Sequence, residues 1–141
     1  MLDGKLGVSA SYGFTHSEFR KYNDGKNDYK GKLVPFVPMH NMSVAANYRL
    51  VLNGLLNALS VGADVSGAGR IYWTEDNNSW QNFHATAGAH ITAEMKGAKL
   101  NVWGKNITGS KYNVFYFESM NRGFEQHAAP CRFGADLMFN F

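Results

Sequence analysis

Residues 83–95, FHATAGAHITAEM, decide the fold because their side chains alternate in character with a period of two. Apolar residues occupy every second position from Phe83 to Met95, and polar, charged or small residues occupy the positions between them. Successive side chains of a β-strand point to opposite faces. The segment therefore predicts a strand with one apolar and one polar face.

The same alternation recurs along the rest of the chain, for example in the apolar set Leu6, Val8, Ala10, Tyr12 and Phe14. Asn53-Gly54 favours a tight hairpin turn over a short helix at 51–60. The pattern predicts an all-β, antiparallel up-and-down meander. We expect a break or bulge at 106–111 and six strands, at 5–21, 39–52, 58–74, 82–95, 98–118 and 131–141.

The connections between these strands alternate in length. Tight turns are predicted at Asn53-Gly54 and Lys96-Gly97, and longer connections at 22–38, 75–81 and 118–130. Every second connection of an antiparallel meander lies at the same end of the sheet. The three longer loops are therefore expected at one end and the two tight turns at the other.

The composition of the chain argues against several classes of function. The chain has 141 residues, which suits one domain, and a net charge of +3, which gives no reason to expect a nucleic-acid partner. The one cysteine, Cys131, excludes a disulfide within the chain and a cysteine-based zinc site. No Ser–His–Asp spacing, phosphate-binding glycine loop or His–Glu metal motif stands out, so no catalytic residue, metal site or cofactor is predicted.

Two environments explain strands of this kind. The apolar face is either the core of a soluble barrel or sandwich, or the lipid-facing surface of an outer-membrane barrel. Residues Leu6 to Phe14 would span about 25–30 Å, close to the ~25 Å apolar band of such barrels. The loop asymmetry also favours the membrane. Aromatic residues that could form the interfacial girdles are Tyr12, Phe14, Tyr48, Tyr72, Trp73 and Tyr112.

Three segments carry a resemblance to TonB-dependent outer-membrane receptors. Residues 103–112, WGKNITGSKY, resemble an element near the end of these receptors, with Gly109 where the family usually has Asp. Residues 129–134 resemble the segment before the family's final strand, with Cys131 inserted, and residues 29–40 resemble the segment before a late barrel strand. The matching positions are Asn106, Ile107, Thr108, Tyr112, Pro130, Arg132 and the terminal aromatic Phe141.

The resemblance implies that residues 1–141 are a single β-barrel domain or, more specifically, the carboxyl-terminal fragment of a larger transmembrane barrel without its plug domain. It implies a non-enzymatic receptor in the outer membrane of a Gram-negative bacterium, for active uptake of a scarce nutrient such as a ferric siderophore. The implied partners are outer-membrane lipid, the nutrient cargo and an inner-membrane energy-coupling complex, which would be reached through segments absent here. Phe141 is expected to act in assembly. The alternative is a small self-contained β-barrel ligand-binding module.

Polar side chains supply the other candidate sites. His16, His40 and His127 fall at the predicted loop end as candidate cargo contacts, although scattered exposed histidines are the simpler interpretation. His84 and His90 lie about 20 Å apart on one strand and cannot share a metal ion. A lysine group, Lys5, Lys21, Lys26, Lys30 and Lys32, is either a solvated loop or a contact for a sugar, lipopolysaccharide or anionic chelate. A salt-bridge network is expected among Arg49, Asp64, Arg70, Glu94, Lys99, Arg132 and Asp136.

The isolated six-stranded piece would have two open edges and a large apolar face. We expect it to bury its Leu6–Phe14 and Phe133–Phe141 faces, either by closing into a narrow barrel or by forming a homo-oligomer.

Overall fold

The computed structural model describes residues 4–120 and 122–140. This part of the chain is built from ten β-strands, and no helix in it is long and apolar enough to cross a membrane. The strands are β1 Gly4–Phe14, β2 His40–Val51, β3 Leu56–Ala68, β4 Ile71–Tyr72, β5 Trp80–Gln81, β6 His84–Met95, β7 Ala98–Lys105, β8 Asn113–Ser119, β9 Arg122–His127 and β10 Arg132–Phe139.

Six of these strands form one antiparallel sheet in the order β1–β2–β3–β6–β7–β10. This arrangement confirms the predicted six-stranded meander. The remaining strands form two small hairpins, β4–β5 and β8–β9, within the second and third long connections. The long connections lie at one end of the sheet and the tight turns, 52–55 and 96–97, at the other, as the alternating lengths predicted.

Three predicted strands are too long. β1 ends at Phe14 instead of residue 21, because residues 15–39 pair among themselves and form a separate hairpin. β3 ends at Ala68 instead of residue 74. The predicted break at 106–111 ends β7, and the segment that follows returns as β8 in a different sheet. Asn106 and Gly109 turn the chain there, with φ angles of 49° and 65°.

The register places the apolar sets of all six strands on one face. One row of directly opposed residues runs across the sheet from β1 to β10, namely Leu6, Tyr48, Val61, Ile91, Val102 and Ala135. Leu6, Val8 and Ala10 therefore lie on the same face as Phe133, Leu137 and Phe139. This apolar face is uncovered: Leu6 is 68% exposed and Phe133 is 73% exposed.

The sheet is open. β1 and β10 lie at opposite edges and do not pair with each other in the described part of the chain. The expected self-closure into a narrow barrel, with these apolar faces buried, is thus wrong for the single chain. Closing a sheet of so few strands would demand a steep strand tilt. Formation of a homo-oligomer stays a prediction, and Phe141 lies outside the described residues.

Candidate functional site

A row of four hydroxyl groups crosses the polar face of the sheet near its loop end. Ser11, Ser43, Ser66 and Thr86 stand directly opposite one another on β1, β2, β3 and β6. The Ser11 and Ser43 Oγ atoms are 2.8 Å apart, and Ser66 Oγ lies 3.2 Å from Thr86 Oγ1. We call these four residues the hydroxyl row.

The hydroxyl row forms the floor of an open cleft of about 550 Å³. His84 and Tyr112 line it on the loop side, where their rings stack with centroids 4.0 Å apart. Gln81 Nε2 is 3.2 Å from His84 Nδ1, and this hydrogen bond also positions the imidazole. No Lys, Arg, Asp or Glu side chain contributes to this lining, so the cleft suits neutral groups that exchange hydrogen bonds.

Charged side chains join distant strands nearer the tight-turn end. The Arg49 guanidinium on β2 donates to Glu94 Oε2 on β6 at 2.6 Å, and so passes over the intervening strand β3. Lys99 on β7 approaches the other oxygen of Glu94 at 3.9 Å. The expected salt-bridge network is therefore present for these three residues. Arg70 instead lies in a loop, over the ring of Trp80.

A second cleft, of about 750 Å³, lies on the polar face beside β10. The indole of Trp103 donates from Nε1 to Asp136 Oδ2 at 2.9 Å, and Asn101 Nδ2 reaches the same oxygen at 3.3 Å. Gly134 stands opposite Trp103, and a Cβ at this glycine would collide with the indole. The missing side chain therefore makes room for Trp103 to lie across the neighbouring strand.

The loop end is held together by contacts between the three long connections. Asn77 bridges two of them, because its carboxamide accepts from Leu33 N and donates to Leu33 O, both at 2.8 Å. Phe36 packs edge-on against Trp73 and stacks on Phe115 of β8. Ser79 Oγ donates to Glu118 Oε1 at 2.7 Å. The loops therefore form one packed layer beyond the sheet.

Two aromatic residues proposed for the interfacial girdle have other positions. Trp73 is only 7% exposed, because Phe36 from a distant segment packs against it. Tyr112 lines the cleft of the polar face. The girdle prediction is wrong for both, whereas Tyr12, Phe14 and Tyr48 belong to the apolar face and are exposed.

The motif at 106–112 connects two segments of the chain through hydrogen bonds. The Asn106 side chain is buried; its Oδ1 accepts from Ser110 N at 2.9 Å, and its Nδ2 donates to Ser110 O and Ala129 O. Tyr112 O accepts from Ala128 N at 2.8 Å. The motif thus ties the end of β7 to the segment before β10. Thr108, Pro130 and Arg132 are exposed, and Ile107 lies beside Phe133.

The three candidate histidines have separate surroundings. His16 Nε2 is 3.5 Å from Glu18 Oε2, and His40 Nδ1 is 2.7 Å from the Tyr12 hydroxyl at the end of the apolar face. His127 lies beside Asn113 and Glu125 on the β8–β9 hairpin. Residues 4–120 and 122–140 contain no group of three His, Cys, Asp or Glu side chains that could hold a metal ion.

Two loop carboxylates are fixed by hydrogen bonds. The backbone N–H groups of Asn27 and Lys26, at 2.7 Å, lower the pKa of Asp24, and the Tyr29 hydroxyl also donates to it. The Thr74 hydroxyl, at 2.6 Å, lowers the pKa of Asp76 together with the N–H of Asn78. Both carboxylates therefore stabilise turns in the loop layer in their charged form.

Comparisons with known proteins connect this geometry to the fold of a solved receptor structure. No family model and no curated protein matches the chain. The fold matches the crystal structure of the ferric yersiniabactin uptake receptor FyuA from Yersinia pestis, with a TM-score of 0.79 and 21% sequence identity. The match covers 96% of this chain and 21% of that receptor, so the chain spans about a fifth of its length. The resemblance is thereby confirmed at the level of the fold.

Proposed function

We propose that this chain is part of the barrel of a TonB-dependent receptor in the outer membrane of a Gram-negative bacterium. The receptor would take up a scarce nutrient, with a ferric siderophore as the first candidate cargo. The observation that carries the proposal is the uncovered apolar face that continues across all six strands of a sheet with the fold of an uptake receptor.

Physical chemistry favours lipid against this face. A contiguous apolar surface of six strands would be a strong association site in water, but lipid chains cover it without cost. The free edges at β1 and β10 support the same interpretation. Unpaired strand edges are satisfied when further strands of a larger barrel pair with them.

The opposite face suits a barrel interior. The hydroxyl row and the Arg49–Glu94–Lys99 network place polar groups where a polar lumen would need them. Cargo would be received at the loop layer and pass the neutral cleft. An inner-membrane energy-coupling complex would act through parts of the protein outside this chain. We assign no catalytic step and no cofactor to these residues.

The second candidate is a small self-contained ligand-binding module, which the clefts of about 550 and 750 Å³ favour. The open edges argue against it, because a closed module would pair β1 with β10. Its apolar face would also need a covering partner in water.

Membrane fractionation and growth assays test the proposal. The longest encoded protein that contains this chain should accumulate in the outer-membrane fraction. Its deletion should abolish growth when ferric siderophores supply the only iron, and growth on ferrous iron should be unaffected. A soluble protein, or deletion without effect on any of a panel of ferric chelates, would contradict the corresponding part of the proposal.

A further inference from the structure

The first long connection, residues 15–39, forms a hairpin to which the uptake proposal assigns no role of its own. Its two arms are joined by hydrogen bonds from Phe19 N to Lys32 O at 2.9 Å, from Gly31 N to Phe19 O at 2.8 Å and from Tyr29 N to Tyr22 O at 2.9 Å. The hairpin is thus ordered by its own backbone although it lies outside the main sheet.

Three aromatic rings stack along this hairpin. The Phe19 and Tyr22 centroids are 4.9 Å apart with an interplanar angle of 29°, and those of Tyr22 and Tyr29 are 5.4 Å apart at 26°. Tyr22, in the middle, is 40% exposed. The Tyr29 hydroxyl donates to Asp24 Oδ2 at 2.9 Å, which holds one end of the stack. The rings therefore form an ordered platform with an accessible centre.

Five cationic side chains against three carboxylates give the hairpin a net positive charge. The hairpin carboxylates already have local partners: Glu18 lies beside His16, Asp24 accepts backbone N–H groups, and Asp28 accepts from Lys30 N. Within the described residues, the exposed cations of the hairpin form no ion pair; they are Arg20, Lys21, Lys26, Lys30 and Lys32. An anionic ligand would therefore meet free cations without first breaking a salt bridge.

We propose that this aromatic–basic hairpin, residues 15–39, binds phosphorylated sugars of the glycolipid in the outer leaflet of the membrane. Lysine and arginine pair with phosphate groups, and the exposed part of the Tyr22 ring can pack against the C–H groups of a sugar. The inference rests on the proposed function, because it needs the loop end of the sheet at the outer surface of that membrane.

The shape of the surface favours an extended ligand over a small one. Small-molecule sites enclose most of their ligand, but no residue of 15–38 lines either of the two clefts on the polar face. A ring stack that is exposed at Tyr22, with cations on both arms, instead suits a layer of anionic headgroups. Clustered cations of this kind strengthen binding to an anionic membrane surface.

Titration calorimetry with purified protein tests the inference. The longest encoded protein that contains this chain, in a non-ionic detergent, is titrated with the phosphorylated core oligosaccharide released from lipopolysaccharide. Replacing Lys30 and Lys32 together by Gln should weaken binding on the order of tenfold. Tyr22→Ala should weaken it about fivefold. Added NaCl should weaken the wild type more than the lysine variant.

A matched control removes the same charge elsewhere. Lys96 lies in the tight turn at the opposite end and Lys111 between β7 and β8, and replacing both by Gln should leave the affinity unchanged. The amount of glycolipid phosphate that co-purifies with the protein should fall in the hairpin variants and stay constant in the control. This result would show that the bound phosphorylated sugar comes from the membrane glycolipid and not from free polysaccharide. Ferric-chelate uptake by every variant shows that the barrel is folded.

Several results would overturn the inference. These are equal affinity for the enzymatically dephosphorylated oligosaccharide, an equal loss in the Lys96/Lys111 control, or tighter binding of a single-stranded DNA of the same charge. None of these three results would contradict the uptake proposal if wild-type cells still grow on the ferric chelate. Loss of the protein from the outer-membrane fraction would contradict the uptake proposal, while the titration would still decide the hairpin's ligand.

Discussion

The two faces of the sheet are made by the same six strands but depend on different properties of their residues. The apolar face is a set of exposed side chains, such as Val61 and Ile91, whose requirement is that they are apolar. The polar face depends on particular pairs, such as Arg49 with Glu94 and Trp103 with Asp136. The apolar face therefore requires only that its side chains are apolar, whereas the polar face requires specific pairs of side chains.

The largest effect is expected from a charge moved from one face to the other. Ala63 and Asp64 are neighbours on β3 and point to opposite faces. Ala63→Arg should cost about 2–4 kcal/mol of folding free energy in the membrane, because arginine near the bilayer midplane is costly. Asp64→Arg should cost much less. Accumulation of folded protein in the outer membrane measures both, and equal losses would remove the distinction between the faces.

A larger side chain should have the opposite pattern of cost, destabilising the polar face more than the apolar face. Gly134 and Ala135 are neighbours on β10, with Gly134 beneath the indole of Trp103, which Asp136 holds in place. Gly134→Val should cost about 1–3 kcal/mol through overpacking, whereas Ala135→Val adds apolar surface to the exposed apolar face and should be nearly neutral. Urea unfolding of the protein in lipid vesicles compares them. A tolerated Gly134→Val would show that the polar face is loosely packed.

The ion pair between β2 and β6 also tests whether the polar face depends on specific pairs, with a smaller expected effect on stability. Removing the charge with Glu94→Gln should cost about 0.5–1 kcal/mol, since the Arg49 side chain is largely exposed and solvent screens the pair. The cost should shrink in 1 M NaCl. Glu75→Gln in the loop layer is the matched control. An unfolding free energy that is independent of Glu94 at low salt would mean that the polar face does not depend on this pair.

Period-two alternation was enough to predict the sheet, since the face on which a residue lies is a local property of its strand. The strand ends were not predictable in this way. Residues after Phe14 keep apolar and polar side chains, but their backbone finds partners inside the 15–39 hairpin. Trp73 was misplaced for a similar reason, because Phe36, which packs against it, is distant in sequence.

The site was less predictable than the fold. The register of β2 against β3 places Ser43 opposite Ser66. A two-residue turn at Asn53-Gly54 would instead have placed Ser43 opposite Asp64, so the turn motif alone does not predict this pair. Ser11 and Thr86 join it across long connections whose register no local pattern reveals. Likewise, nothing near Asn77 in the sequence indicates its contact with Leu33. The candidate histidines share only a position near the loop end, and their neighbours are unrelated.

The smallest expected effect concerns the loop layer, away from both faces. The pKa of Asp76 lies below 3.8, chiefly because Thr74 donates to it. The charged carboxylate therefore stabilises the folded loop above pH 3.8, and this contribution is lost as the pH falls through the folded-state pKa. In an NMR titration, Thr74→Val should raise the Asp76 midpoint and Thr108→Val should not. A wild-type midpoint at or above 3.8 would contradict this assignment.

The central claim is that one face of the six-stranded sheet meets lipid and the other faces a polar interior. Single cysteines along β3, in a Cys131→Ser background, can carry spin labels whose collisions with oxygen and with a water-soluble nickel chelate are measured in lipid vesicles. Labels at residues 61, 63 and 65 should collide mainly with oxygen, and labels at 60, 64 and 66 mainly with the nickel chelate. Accessibility without a period of two, or with the opposite phase, would contradict the account.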